Sequence, residues 1–392
     1  MGGTSERARR LRSGAGKAAF AAASLGAALL VAEGLVRLLS PIGPALLVTD
    51  PRAGKRYVPG FAGPVFVDEA GREVDVRINS AGFPGPEWPR DKPSGGLRIA
   101  VLGDSMTAAI ATGEERTFVR RLRDSLAQVE RGRPVEVLNF GVSGASTASE
   151  LVTWREVASG YEPDVVLLAF FTGNDLGDNS ARLTRAPRVY FDVDAEGRLV
   201  PSEAPSPTPA LVRWLDRHSR LYVWQKLAVR RLRGAGRAAH GVEPGQRIFA
   251  RAGDPDVEHA WRVTAALLRA LRREVEATGA RLALAVIPCA EQVDDALWAD
   301  LERRVRGAEL EPAREEPSRR LAEIATREGV PLVDLAPAFL AAARPRAGGP
   351  ASAARLFLLG RFHLSDEGHR VVADSLRRFL VEGEGRGLLE RR

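Results

Sequence analysis

The stretch "IAVLGDSMTAAI", residues 99–110, passes from an apolar, β-branched segment through Gly103-Asp104-Ser105 into small residues that suit a helix. That is the pattern of a strand buried on both faces that turns sharply into a helix, with a serine on the turn. Similar runs recur at "LRIAVLG" (97–103), "VEVLNFG" (135–141), "DVVLLAF" (164–170), "RLALAVI" (281–287) and "PLVDL" (331–335). Between them lie segments of helical periodicity, "EERTFVRRLRDSLAQVE" (114–130) and "AWRVTAALLRALRREVEATG" (260–279). Short buried strands alternating with helices predict a parallel α/β sheet. In such sheets ligands sit outside the carboxyl ends of the strands, so the chemistry belongs to the residues just after each run.

Those residues are polar. Gly103-Asp104-Ser105 follows the first run, Asn139-Phe140-Gly141 ends the second and Gly173-Asn174-Asp175 follows the third, while "RFHLSDEGHRVVADSL" (361–376) lies near the end of the chain. A serine or asparagine at one strand end is commonly a helix cap. Four such blocks at strand ends and in the final loop point to a site.

In these four blocks, across roughly residues 97–380, the chain resembles the SGNH (GDSL-type) hydrolases. The resemblance implies a three-layer α/β/α flavodoxin-like fold and a serine esterase site. It makes Ser105 the nucleophile, with Gly141 and Asn174 as oxyanion partners beside the Ser105 N–H. It makes His363 the base, and Asp104, Asn139, Gly173 and Asp175 are supporting members of the blocks. The basic N-terminus and "INSAGF" (78–83) are similar to those of membrane-tethered bacterial members.

Elementary chemistry suits these roles. A serine on a strand-to-helix turn exposes its hydroxyl and aims its own N–H at a ligand, near the positive end of the next helix. Glycine lets a backbone N–H approach the same point, and an asparagine amide adds donors. A serine needs a base, and histidine is the usual one. The five histidines are His218, His240, His259, His363 and His369, none in a zinc-hydrolase pattern. The position three residues before His363, where the family keeps its acid, is Gly360. Two readings stay open: a Ser–His dyad with the imidazole N–H held by a backbone carbonyl or by a distant carboxylate such as Asp178, or a shifted pairing of Asp366 with His369. No metal or organic cofactor is expected.

Composition bounds the rest. The 392 residues are 45% hydrophobic and 27% charged, enough for a large core. The net charge of +7 comes from arginines scattered among acids, with 6% aromatic residues, so nucleic acid is not an expected partner. The one cysteine, Cys289, excludes an internal disulfide and reads as a small buried hydrophobe. At the N-terminus Arg7, Arg9, Arg10, Arg12 and Lys17 precede the charge-free Ala18 to Ala32, and Glu33 and Arg37 come next at i, i+4 spacing. A basic flank before an apolar helix predicts retention of that flank in the cytoplasm and export of the chain beyond the helix. No small-x-small cleavage site follows, so an uncleaved single-pass anchor is expected rather than a removed signal peptide.

The expected organisation is therefore an anchor at 1–40, a linker and small β-rich lead-in at 41–96, and a hydrolase domain at 97–392 with an insertion at about 179–251. The connector to about residue 60 reads as a stalk, and "PVFVDEAGREVDVRI" (64–78) and "RVYFDVDAEGRLV" (188–200) read as hairpins. The expected function is that of a serine ester hydrolase or an acyl-transferring relative, deacetylating or acylating cell-envelope glycans or lipids on the outer face of the cytoplasmic membrane. The alternative is a non-catalytic binding or assembly protein of the envelope that keeps the fold.

Overall fold

The computed structural model describes residues 3–39, 46–50, 52–67, 71–184, 186, 188–202, 209–237, 244–251, 253–345, 349–358 and 362–390. These fall into two compact units. One comprises the first 45 residues together with 209–238; the other comprises 46–208 and 239–392.

The larger unit starts with two antiparallel hairpins. β1 (Leu47–Asp50) pairs with β2 (Gly54–Tyr57), and β3 (Ala62–Val67) with β4 (Arg72–Arg77). The first occupies part of the segment expected to be a stalk. Tyr57 explains why: its ring is 1% exposed in the main core, so the strand that carries it is packed rather than solvated. The second hairpin brackets the turn expected at Glu69-Ala70-Gly71, of which Glu69 and Ala70 lie outside the described residues.

The central sheet follows: β5 (Leu97–Gly103), β6 (Val135–Gly141) and β7 (Val165–Phe171). A short antiparallel pair comes next, β8 (Phe191–Val193) with β9 (Leu199–Pro201), the hairpin expected within the insertion. β10 (Arg281–Ile287) and β11 (Leu332–Asp334) complete the sheet. Its order is β6-β5-β7-β10-β11 with every neighbour parallel. This is the flavodoxin-like order, in which the direction of winding reverses between β5 and β7. In open α/β sheets ligands bind at such a reversal, outside the carboxyl ends of the two strands. Ser105 follows one of them and Asn174 the other.

All seven residues of β5 and of β7 are buried, which accounts for their unbroken apolar runs. Arg98 of β5 is the exception in kind. Its guanidinium is fully buried, ion-paired with Glu136 at 2.7 Å, and donates to the carbonyls of Pro89, Arg90, Asp91 and Tyr161. A buried charge is tolerated only when so partnered, and here it ties the end of the lead-in to the first sheet strand. Helices Phe118–Val129 and Pro255–Ala277 form where the periodicity predicts them. Cys289 is buried, and burial pushes its thiol pKa up.

In the smaller unit, helix Gly3–Leu39 contains a stretch, Ala19–Leu39, of mean hydropathy 1.9 that is long and apolar enough to cross a membrane. The middle of the expected insertion belongs to this unit, as helices Ala210–His218 and Arg220–Arg237.

Candidate active site

Ser105 opens a single helical turn, Ser105–Ala108, that ends at Ala109 in the left-handed region (φ 51°). The long helix of this connection starts only at Phe118. The field at Ser105 is therefore that of the N–H groups of one turn rather than of a long helix. Close packing holds the turn in place. A Cβ on Gly103 would meet Thr107 Oγ1 at 2.1 Å and the Ala169 carbonyl at 3.2 Å, so glycine is required there.

Asp104 organises the turn. It is fully buried, its Oδ1 accepts the Met106 N–H at 2.8 Å, and the Ser105 hydroxyl lies 3.4 Å from its Oδ2. Burial raises its pKa, while the Met106 N–H, the His363 imidazole and the Asn174 amide favour the charged form. The Ser105 turn is therefore held to this one carboxyl by the Met106 N–H. Asn174 Nδ2 also donates to Asp178 Oδ2 at 3.1 Å. Gly173 packs so closely on the Phe171 ring that a Cβ would lie 2.4 Å from it.

The second block corrects one expectation. The Gly141 N–H is already engaged: it donates to Asn139 Oδ1 at 2.9 Å, and the residue is buried. Asn139 Nδ2 in turn donates to the Thr107 carbonyl at 3.0 Å. Gly141 is glycine because the single turn presses on it; a Cβ would sit 2.3 Å from Ala108 N. The next glycine, Gly144, has the properties an oxyanion donor needs. It is half-buried, its φ is +74°, and its N–H has no hydrogen-bond acceptor among the described residues. The second glycine of "NFGVSG" was the signal for it.

The lead-in supplies two neighbours that sequence reasoning missed. The Tyr57 hydroxyl lies 2.6 Å from Ser143 Oγ and accepts the Ser143 N–H at 3.2 Å, and burial pushes its pKa up to about 12. Lys55 reaches so near Gly144 that a Cβ there would lie 2.6 Å from Nζ.

The proposed acids are engaged elsewhere. Asp366 pairs with Arg116 at 2.6 Å, and Asp178 with Arg188 at 2.5 Å. His369 is not a candidate base. It is 1% exposed, its Nδ1 accepts the Phe118 N–H at 3.2 Å, and its Nε2 lies 3.0 Å from Thr112 Oγ1. The first contact fixes the proton on Nε2, which then donates to Thr112. Burial, reinforced by the nearby Arg121, brings its pKa down to about 3. These contacts separate Asp366 from His369 despite their helical spacing. His363 is half-buried, and Gly360 lies outside the described residues.

Two further buried carboxyls, Glu150 and Asp175, interact electrostatically with Asp104. Burial and mutual repulsion raise the pKa of Glu150 and Asp175 well above the ordinary range. Asp175 Oδ2 accepts the Phe171 N–H at 2.7 Å, while its Oδ1 and both Glu150 oxygens have no partner among the described residues. Glu150 was invisible in the sequence because its helix, Thr147–Glu156, is buried almost all round and has no polar face to depart from.

Residues 101–371 match the GDSL-like lipase/acylhydrolase family. The chain belongs to that family. Membership makes it an ester hydrolase by class. Among solved structures it is similar to a catalytic mutant of Axe2, an acetylxylan esterase from Geobacillus stearothermophilus, at 15% identity and TM-score 0.41, covering 76% of this chain and 98% of that one. It is also similar to the lipase/acylhydrolase from Enterococcus faecalis, at 13% identity and TM-score 0.39, covering 76% and 98%. No curated protein matches the chain.

Proposed function

We propose that this family member is a membrane-anchored serine esterase in which Ser105 is the nucleophile and His363 the base. The observation that carries the reading is the position of Ser105: on a close-packed turn at the winding reversal, with its hydroxyl 3.4 Å from the buried Asp104 carboxyl. In the reaction Ser105 Oγ attacks the acyl carbonyl while His363 takes its proton. The C–O bond to the leaving alcohol then breaks, and His363 returns the proton to that oxygen. Water, deprotonated by His363, resolves the acyl-serine and restores the hydroxyl. The oxyanion is held by the N–H groups of Ser105 and Gly144 and by the Asn174 amide; losing one such donor costs about 100- to 1,000-fold in rate.

With the basic flank before Ala19–Leu39 inside the cell, the catalytic unit lies outside the cytoplasmic membrane. Its substrates are then acyl esters of envelope glycans or lipids. The test is hydrolysis of p-nitrophenyl acetate by the full chain in detergent, with mass spectrometry after a fluorophosphonate probe. The expected result is a Ser105 adduct, and a fall of about 1,000-fold or more in kcat for both Ser105→Ala and His363→Ala. Folded protein with no turnover and no adduct would favour the binding role instead.

A further inference from the structure

Helices Ala210–His218 and Arg220–Arg237 take no part in the proposed chemistry, yet their own character is pronounced. They carry Arg213, Arg217, Arg220, Lys226, Arg230, Arg231, Arg233 and Arg237 against one acid, Asp216, which is itself 2.5 Å from Lys226. Leu211 is 66% exposed, Trp214 57% and Trp224 46%. Leu211, Trp214 and His218 line one face of the first helix, and the Trp214 and His218 rings lie 5.2 Å apart. Arginines beside exposed tryptophan and leucine suit the boundary between lipid headgroups and acyl chains, where tryptophan keeps one side apolar and one side wet.

A second observation sets the depth. Glu33 is the sole acid between Lys17 and Leu39, and a carboxylate in such a helix needs partners. It accepts the Ser219 hydroxyl at 2.8 Å, the Arg220 N–H at 2.9 Å and the Leu221 N–H at 3.0 Å, which are donors at the start of the second helix. Arg37, 2.7 Å from Glu33, donates to the His218 carbonyl at 2.8 Å, at the end of the first helix. The negative member of the pair thus meets a helix N-terminus and the positive member a C-terminus, as the two helix dipoles require. Glu33 is six residues from the end of the apolar stretch at Leu39, about 9 Å at 1.5 Å per residue. Interfacial helices sit about 5–10 Å into the headgroup boundary, so the corner at Ser219 lies at that level.

We infer that residues 210–237 form a membrane foot: a helix pair lying in the interface of an anionic bilayer, clamped to the anchor by Glu33 and Arg37, with Leu211, Trp214 and Trp224 in lipid. The inference rests on the anchoring reading above. Its ligand is the phospholipid surface itself, with Arg217, Arg220 and Lys226 at the level of the phosphates and the tryptophans at the upper acyl chains.

The test uses the full chain in phosphatidylglycerol/phosphatidylcholine liposomes and reads two things. Flotation after a carbonate wash reports anchoring. Tryptophan quenching by lipids brominated at the 6,7 positions reports the foot. The first 45 residues contain no tryptophan, and Trp154 and Trp261 are buried in the other unit. Strong quenching is expected, lost for the most part in the Trp214→Phe/Trp224→Phe variant and weakened in Glu33→Gln, while all three proteins still float. Floating protein whose quenching is absent, or unchanged by the double substitution, overturns the foot and leaves the anchor standing. This includes the case in which a membrane protein rather than lipid covers these side chains. Protein that does not float overturns the anchoring reading, and the foot with it.

Discussion

Replacing Glu150 by glutamine tests whether a neutral acid lies near Asp104. Both Glu150 oxygens are buried with no partner among the described residues, and burial, reinforced by Asp104, raises the carboxyl well above its ordinary 4.5. A folded-state pKa above the unfolded one means that folding favours the protonated form. Its contribution to stability is complete below pH 4.5 and is lost as pH rises toward the folded value. Through that window the wild type loses up to about 1.4 kcal/mol per pH unit relative to a side chain that cannot ionise. Glutamine has its own cost, about 1–3 kcal/mol for an amide buried without partners, but that cost does not change with pH. The variant is therefore expected to be the less stable protein at pH 4 and to gain steadily on wild type above pH 4.5. Urea unfolding of both full-length proteins in the same detergent, at half-unit steps from pH 4 to pH 7.5, reads the difference directly. A stability difference that stays flat over this range would refute the neutral acid. It would mean that Glu150 has found a counter-charge or that its site is wet.

Two further predictions separate the histidines. His369, at about 3, is depressed below the unfolded 6.5, so its contribution is present above pH 6.5 and is lost as pH falls toward 3. His369→Gln should gain up to about 1.4 kcal/mol per unit on wild type as pH drops from 6.5, read by the same unfolding assay. Asp366→Asn removes only a half-exposed pair with Arg116. It should cost under about 1 kcal/mol and leave kcat within about twofold; a hundredfold fall in p-nitrophenyl acetate turnover would restore the pairing of Asp366 with His369.

Much of the architecture was written locally. The β7 run is apolar without interruption, and the β5 run is broken only by Arg98, because both faces of a central strand are covered, and that need shows in consecutive residues. The site blocks were legible for the same reason, since a parallel strand delivers its chemistry in the few residues after its last apolar position. The connector before residue 60 was not legible. Tyr57 belongs to a strand of four residues whose partner is an equally short strand, too little for a period to show.

The sequence alone determined the class of fold, the serine, the helix long and apolar enough to span a membrane, and the blocks around Asn139, Asn174 and His363. The tertiary structure decided which of those groups are already engaged within the protein. Gly141 and Gly144 are equally good glycines in the sequence, and only the approach of Ala108 and the position of Asn139 consume one and leave the other. Asp366 and His369 have the spacing of a catalytic pair, but Arg116 claims the first, and Thr112 with Phe118 claims the second, some 250 residues away along the chain. Glu33 finds its partners 186 to 188 residues later. Periodicity and capping act between neighbours and leave a mark on them. A hydrogen bond or ion pair between distant segments is settled when the elements pack, by a distance that no local pattern records.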